Sequence, residues 1–412
     1  MKKLLAILIA VASFFSCFAF TGCTPRSEQL KMLIPGEYID ETIFPEFEEW
    51  YFEQTGNKIK VMTPALSYVS EDIITAVVND HADYDVICPS DFAVEQFVKK
   101  NLLVKVDKAR VDVESVIRPE YVERARISDP TLEYSVPYMY GTYGIMYDYK
   151  KTGKHIDSWS AIYTDEFVKD GKKVVANKDS LREAITSAAI WANRNELNEI
   201  YEKTDSWSLE YTQKLQDVFD DVSDNALAKV KTTLEEMKNY QLKWGGEELK
   251  VHMATNNTSI EVALTWSCDA GYVMNDFEDE DGNIIKGNRD LWYVIPKEGG
   301  NIYLDTFCIT KYAKNVEAAQ YFLEFICQKE IAMRNSIYAG AVSPVKAAYQ
   351  QLLDDYTYAF ELDADADEEW VAMYMDMLFP SNETLARCAT MRYYGDEADA
   401  KVSNLWNDVR YK

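Results

Sequence analysis

Tyr84-Asp85-Val86-Ile87-Cys88-Pro89-Ser90-Asp91-Phe92 decides the fold class. Its apolar centre reads as a short buried strand that stops at Pro89, since proline has no N–H for a strand ladder, and a helix follows. Similar units precede it. Leu30 to Ile34 is a short apolar strand, and Pro35-Gly36-Glu37-Tyr38 turns the chain into a helix with Phe44, Phe47 and Tyr51 on one face. Gly56 ends that helix, Lys58 to Met62 is the next strand, and Ile73, Ile74, Val77 and Val78 fall at helical spacing within Ser70 to Val78. Strand, helix, strand, helix with short connections predicts a parallel sheet covered on both faces. Ligands of such sheets sit beyond the carboxyl ends of the strands, which puts Tyr38, Ser90 and Phe92 at a cleft.

Downstream, the stretch from Tyr134 to Tyr147 alternates, is rich in β-formers and reads as a strand crossing between two lobes. A second α/β region follows. Lys173 to Ala176 is its strand, and Asp179-Ser180-Leu181-Arg182-Glu183 opens a helix with Asp179 as the N-cap. Val218, Val222, Val230, Leu234 and Met237 read as one or two amphipathic helices packing on the second lobe. Val316 to Ile326 is an apolar-faced helix, Gly340 to Pro344 a turn, and the segment from Tyr393 to Lys412 ends in an aromatic-rich helix.

Chemistry concentrates between Leu264 and Phe307. Trp266 and Asp269 lie three apart, and Tyr303 and Asp305 two apart, which in an extended strand puts both side chains on one face. An aromatic beside a carboxylate suits an ammonium group: the acid gives a charge-assisted hydrogen bond and the ring adds about 0.5–2 kcal/mol of cation–π attraction. The same residue types also serve as core aromatics and turn-forming acids.

The N-terminus reads as a lipoprotein signal peptide over residues 1–22: Met1-Lys2-Lys3, an apolar run from Leu4 to Phe20, then Thr21-Gly22-Cys23. Cleavage after Gly22 would leave Cys23 for lipidation, with 23–29 as a tether. Loss of Lys2 and Lys3 takes the net charge from −26 to −28. Such acidity excludes a nucleic-acid partner, which needs clustered Lys and Arg, and is compatible with cationic ligands. Cys88, Cys268, Cys308, Cys327 and Cys388 form no metal or redox motif and are expected mostly as buried thiols.

Catalysis has little support. His81, His155 and His252 lie in no metal or triad spacing, and Ser343-Pro344-Val345-Lys346 lacks the partner motifs of Ser-x-x-Lys enzymes. No nucleotide-binding loop is present. The reading is therefore not an enzyme, with no metal and no cofactor.

These residues resemble the spermidine/putrescine-binding proteins, the substrate-binding components of polyamine ABC importers. The resemblance rests on Gly36-Glu37-Tyr38-Ile39-Asp40, Tyr84-Asp85-Val86 with Pro89-Ser90-Asp91-Phe92, and Ser135-Val136-Pro137-Tyr138 with Gly141. It continues through Asp179 to Glu183, Thr265 to Asp269, and Pro296-Lys297-Glu298-Gly299-Gly300 to Asp305. It implies an α/β, two-lobed periplasmic-binding-protein-like fold, each lobe a mostly parallel sheet flanked by helices, with hinge crossovers. Lobe 1 would be 30–142 plus 304–345, and lobe 2 143–303 plus 346–412. It also implies an aromatic box of Tyr38, Phe92, Trp266 and Tyr303, carboxylates Glu183, Asp269 and Asp305 for ammonium groups, a hydroxyl contact from Ser90 and an acid at Glu37.

Implied partners are a polyamine, spermidine or putrescine, ABC permease subunits with a separate ATPase, and the membrane through the N-terminal lipid outside the cytoplasm. The sequence departs from the family at Pro35, Gly36, Ala341 and near Met391, and is longer from about 195 to 245. The alternative is a related solute-binding lipoprotein for another amine, a sugar or ferric iron.

Overall fold

A computed structural model describes residues 24–411 apart from 65–68, 205, 247, 256–257, 276, 279–283 and 364–366. The signal peptide and Cys23 lie outside the described residues. One sheet contains β1 (Gln29–Leu33), β2 (Lys60–Met62), β3 (Val86–Ile87), β4 (Leu103–Val104), β5 (Ser135–Asp148), β6 (Val175–Lys178), β7 (Gln241–Gly245), β8 (Val262–Trp266), β9 (Leu291–Val294), β10 (Gly300–Thr310) and β11 (Cys388–Ala389). Its path runs β2-β1-β3-β10-β5-β8-β6-β7, with β9 also on β5, and β4 and β11 on β10.

The two wings of this path are parallel: β1 pairs with β2 and β3, and β6 pairs with β7 and β8. Between them the long strands β5 and β10 run antiparallel to each other and to their wing neighbours. The result is a two-lobed α/β fold in which the middle of the sheet is shared. Both long strands are buried along their length, because helices cover both faces.

The β5–β10 register runs from Asn301 opposite Tyr143 to Cys308 opposite Ser135 and shifts between Asp305 and Thr306. Asp305 faces Met139 and Thr306 faces Pro137, so Tyr138 is left over. Pro137 has no N–H to complete the ladder, and the bulge beside it turns the local backbone. Asp305 sits at that bend.

Helices follow from local signals. α1 (Ile43–Thr55) buries Ile43, Phe44, Phe47 and Tyr51, and Gly56 closes it with φ 72°, a conformation that favours glycine. Phe47 meets Phe322 of α8 (Val316–Ile326) edge-on, ring centroids 5.2 Å apart. Such a contact adds about 0.5–1.5 kcal/mol beyond area burial. α2 (Asp91–Lys99) starts directly after Pro89 and Ser90.

In the second lobe, α3 (Leu181–Ala192) has Ser180 as its N-cap, one residue beyond the expected Asp179. Asp179 is instead ion-paired with Arg410 of the C-terminal helix, a long-range partner that short spacing does not reveal. Beyond the helix Arg194–Thr204, the long region holds α4 (Leu209–Asp220) and α5 (Asp224–Met237), both packed on α3. The chain then adds β7 to the sheet edge, a strand not read in the sequence. α6 (Glu248–Ala254) follows β7, and α7 (Ser267–Met274) follows β8 directly.

α7 approaches the turn after α9 (Lys329–Ala339) backbone to backbone. A Cβ on Gly271 would lie 2.4 Å from the Gly340 carbonyl oxygen, and one on Gly340, whose φ is 64°, 2.4 Å from the Tyr272 amide nitrogen. Neither backbone atom can rotate away. Gly271→Ala is therefore expected to lower unfolding free energy by about 1–3 kcal/mol through overpacking, measured by urea denaturation against the parent protein.

Candidate functional site

A cleft whose empty space, open solvent included, is about 1000 Å³ lies where β1, β3, β8 and β10 end or bend. Every residue expected at the site from the sequence lines it: Glu37, Tyr38, Ser90, Phe92, Glu183, Trp266, Asp269, Tyr303 and Asp305. They reach it from turns after strands, from helix first turns and from the β10 bulge. Their partners within the protein differ sharply.

Asp305 is buried, and among the described residues its hydrogen-bond donors are the Tyr38 hydroxyl at 2.6 Å and the Ser90 hydroxyl at 2.5 Å. Burial without a counter-ion pushes its carboxyl up to about 6 against the pull of both hydroxyls, and the nearby Glu183 charge adds to the rise. Tyr38 is itself fixed by Tyr138, whose hydroxyl donates to the Tyr38 carbonyl at 2.7 Å. That is the residue left over at the bulge.

Glu183 stands in the first turn of α3, where the helix N-terminus favours a carboxylate. It accepts the indole N–H of Trp266 at 3.0 Å and the Ser180 hydroxyl. The Tyr303 hydroxyl is buried with no hydrogen-bond partner among the described atoms. A Cβ on Gly141 would lie 2.2 Å from that hydroxyl, so glycine there is what admits the ring. Phe92 carries the Arg182 guanidinium over its ring at 3.9 Å, leaving less of its surface for a ligand.

Asp269 has a different environment. The ammonium of Lys178 lies 2.7 Å away and that of Lys250 3.2 Å away, and Thr265 donates its hydroxyl at 3.0 Å. Burial alone would raise the Asp269 carboxyl, but the two ammoniums outweigh it and hold the group well below the usual carboxylate range. The Lys178 ammonium also sits 4.1 Å from the Trp266 ring centroid. Trp266 and Asp269 thus do meet an ammonium, and it belongs to the protein.

Lys250 reaches further, to Glu37 at 3.1 Å. Glu37 has φ 53°, an uncommon and costly conformation away from glycine, and the turn before Tyr38 holds it there.

Glu71, Asp91 and Lys250 also line the cavity, and the sequence did not single them out as site residues. Asp91 is buried, which pushes it up to about 8 despite its bond from the Phe92 amide at 2.8 Å, and the Asp305 charge adds to the rise. Glu71 is pushed up to about 7 by desolvation, with Glu183 adding and Arg182 opposing. Water reaches 41 % of its side chain, which screens that effect. Ala341 is buried but is not among the lining residues, whereas Ala339 and Met391 are. Tyr338, beside them, is 41 % exposed and also outside the lining.

A signal for some of these was present. Lys178 ends a buried strand whose expected limit, Ala176, fell two residues short, so its position facing β8 went unread. Glu71 and Asp91 are acids in helix first turns, a place where acids are common for local reasons. Lys250 has no local signal.

The family described as bacterial extracellular solute-binding protein matches residues 43–364. Relatives include the putrescine-binding periplasmic protein SpuD of Pseudomonas aeruginosa, 25% identical over 297 residues, with 70% of this chain and 72% of that protein covered. The spermidine/putrescine-binding periplasmic protein of Escherichia coli is 23% identical over 332 residues, covering 79% and 82%. A solved chain described as a spermidine/putrescine ABC transporter from Listeria monocytogenes superposes with TM-score 0.70 at 25% identity, covering 93% of this chain and 100% of that one. The spermidine/putrescine substrate-binding protein of Streptococcus pneumoniae, at TM-score 0.65 and 22% identity over 93% and 99% of the chains, supports the fold. The chain belongs to the bacterial extracellular solute-binding protein family, and periplasmic polyamine-binding proteins are among its relatives.

Proposed function

We propose that this chain is an extracytoplasmic substrate-binding lipoprotein that captures a polyamine of the spermidine/putrescine class between its two lobes and delivers it to an ABC permease. The observation that carries the reading is Asp305, a buried carboxyl whose donors among the described residues are neutral hydroxyls, in a cavity lined by aromatic rings. A buried carboxylate without a counter-ion is costly by several kcal/mol, and an incoming ammonium supplies the missing charge. Glu183 would receive ammonium charge as well, and Tyr38, Trp266 and Tyr303 would line the alkyl chain. The names of the relatives point the same way.

In this reading 30–142 plus 304–345 form lobe 1 and 143–303 plus 346–412 form lobe 2, and the long strands between them flex as the cleft closes. Cys23 would carry the lipid that holds the protein at the outer face of the membrane. Transport energy comes from a separate ATPase, and no residue acts in catalysis. Ligand shifts the balance toward the closed form because it bonds to both lobes at once.

Calorimetric titration of the chain from Thr24 onward tests this. Putrescine or spermidine is expected to bind saturably, and Asp305→Ala to weaken binding by about a hundredfold, as loss of a buried charge-assisted contact does. No binding heat in folded protein, or equal affinity in the variant, would overturn the reading.

Protons must also move. An ammonium favours ionised Asp305, so binding in place of a proton becomes weaker as pH falls through about 6. Affinity at pH 5 is expected to be about tenfold below that at pH 7, with net proton release seen as a buffer-dependent heat. The stability of the ligand-free protein has the opposite sign. The folded Asp305 carboxyl sits above its ordinary value of 3.8, so its contribution is fully present below that value and is lost as pH rises through about 6. Asp305→Asn is thus expected to stabilise the ligand-free protein by about 1–3 kcal/mol at pH 8, and by little at pH 4, in denaturant melts.

A further inference from the structure

The carboxylates of the cavity fall into two sets. Glu37 and Asp269 are bridged by Lys250, at 3.1 and 3.2 Å, and Asp269 is also held by Lys178 at 2.7 Å. Asp305 and Glu183 are held, among the described residues, by hydroxyls and an indole N–H. Lys250 lines the cavity and is 7% exposed, so its charge faces any ligand there while its position is fixed by the surrounding acids.

We infer that Lys250 is a built-in cation filling the Glu37–Asp269 side of the cavity, so that the protein selects short amines whose charges all lie within reach of Asp305 and Glu183 over longer polyamines. This rests on the amine-binding reading above and narrows its substrate class. A diamine needs two ammonium positions, and the Asp305–Glu183 side offers carboxylates that no lysine contacts among the described residues. A longer triamine must place another ammonium further along the cavity, where Lys250 and Lys178 already neutralise Glu37 and Asp269 and leave it no uncompensated carboxylate. Lys178 backs this arrangement by covering the Trp266 face at 4.1 Å, a surface that a ligand ammonium would otherwise use. Selectivity of this kind comes from a repulsive element as much as from an attractive one.

The test is titration of the full cleaved chain with putrescine and with spermidine, in the parent protein, Lys250→Met and Lys250→Arg, each checked for folding by thermal melt. The parent is expected to bind putrescine at least about tenfold more tightly than spermidine. Lys250→Met, which keeps the length and removes the charge, is expected to tighten spermidine by about tenfold while putrescine changes by less than about threefold. Lys250→Arg, which keeps the charge, is expected to retain the parent's preference. Should Lys250→Met not fold, the parent ratio and Lys250→Arg decide the matter. Spermidine binding as tightly as putrescine in the parent overturns the inference, as does the same loss of selectivity in Lys250→Arg as in Lys250→Met. If neither amine binds the folded parent, the amine reading itself fails, and this inference falls with it.

Discussion

The pairing of Ser135–Asp148 with Gly300–Thr310 is the constraint on which the rest depends. These two strands are the middle of the sheet, buried throughout, with a parallel wing on either side. Because their ladder passes from one wing to the other, the lobes share hydrogen bonds and the cavity forms along a continuous framework. The Pro137 interruption places a bulge in that ladder beside Asp305, and the residue it leaves over, Tyr138, holds Tyr38, which holds Asp305. A missing backbone N–H in the centre of the sheet is in this way tied to the orientation of a buried acid that lines the cavity.

Around this framework the protein treats its buried acids unequally. Asp269 has two ammoniums and a hydroxyl, which satisfies a buried charge almost completely. Asp305 and Asp91 are instead pushed toward the protonated form, since little around them offsets the loss of water. The first arrangement fixes structure. The second stores an unmet demand for positive charge, and stored demand of this kind is common where a protein binds something.

Much of this was legible in the sequence where local pattern governs. Gly56 ends its helix, Val316 to Ile326 is helical to the residue, and the buried strand before Pro89 opens a helix as read. The expected site residues share one cavity because they sit just past a strand, at a helix start or, for Tyr303 and Asp305, on β10 beside its bulge, positions that topology brings together. What failed was partnership over long separations. Asp179 looked like a cap from its neighbours, and its real partner, Arg410, lies at the other end of the chain. The pattern Trp266/Asp269 was read for an ammonium from outside, and the ammonium of Lys178 comes from a strand about ninety residues upstream. Charge pairing of this kind depends on which strands become neighbours, and no periodicity encodes it.

The start of the fold has a consequence for how the molecule would move. Arg26 is ion-paired with Asp83 at 2.8 Å and Asp85 at 2.9 Å, so the chain is pinned to the globule there. Three peptide units separate Cys23 from that pin, an extended reach of about 10 Å. With a lipid on Cys23, this leash would be too short for the protein to roam. It would skim the bilayer surface, restricted in tilt, and meet a membrane partner by lateral diffusion with its orientation already limited.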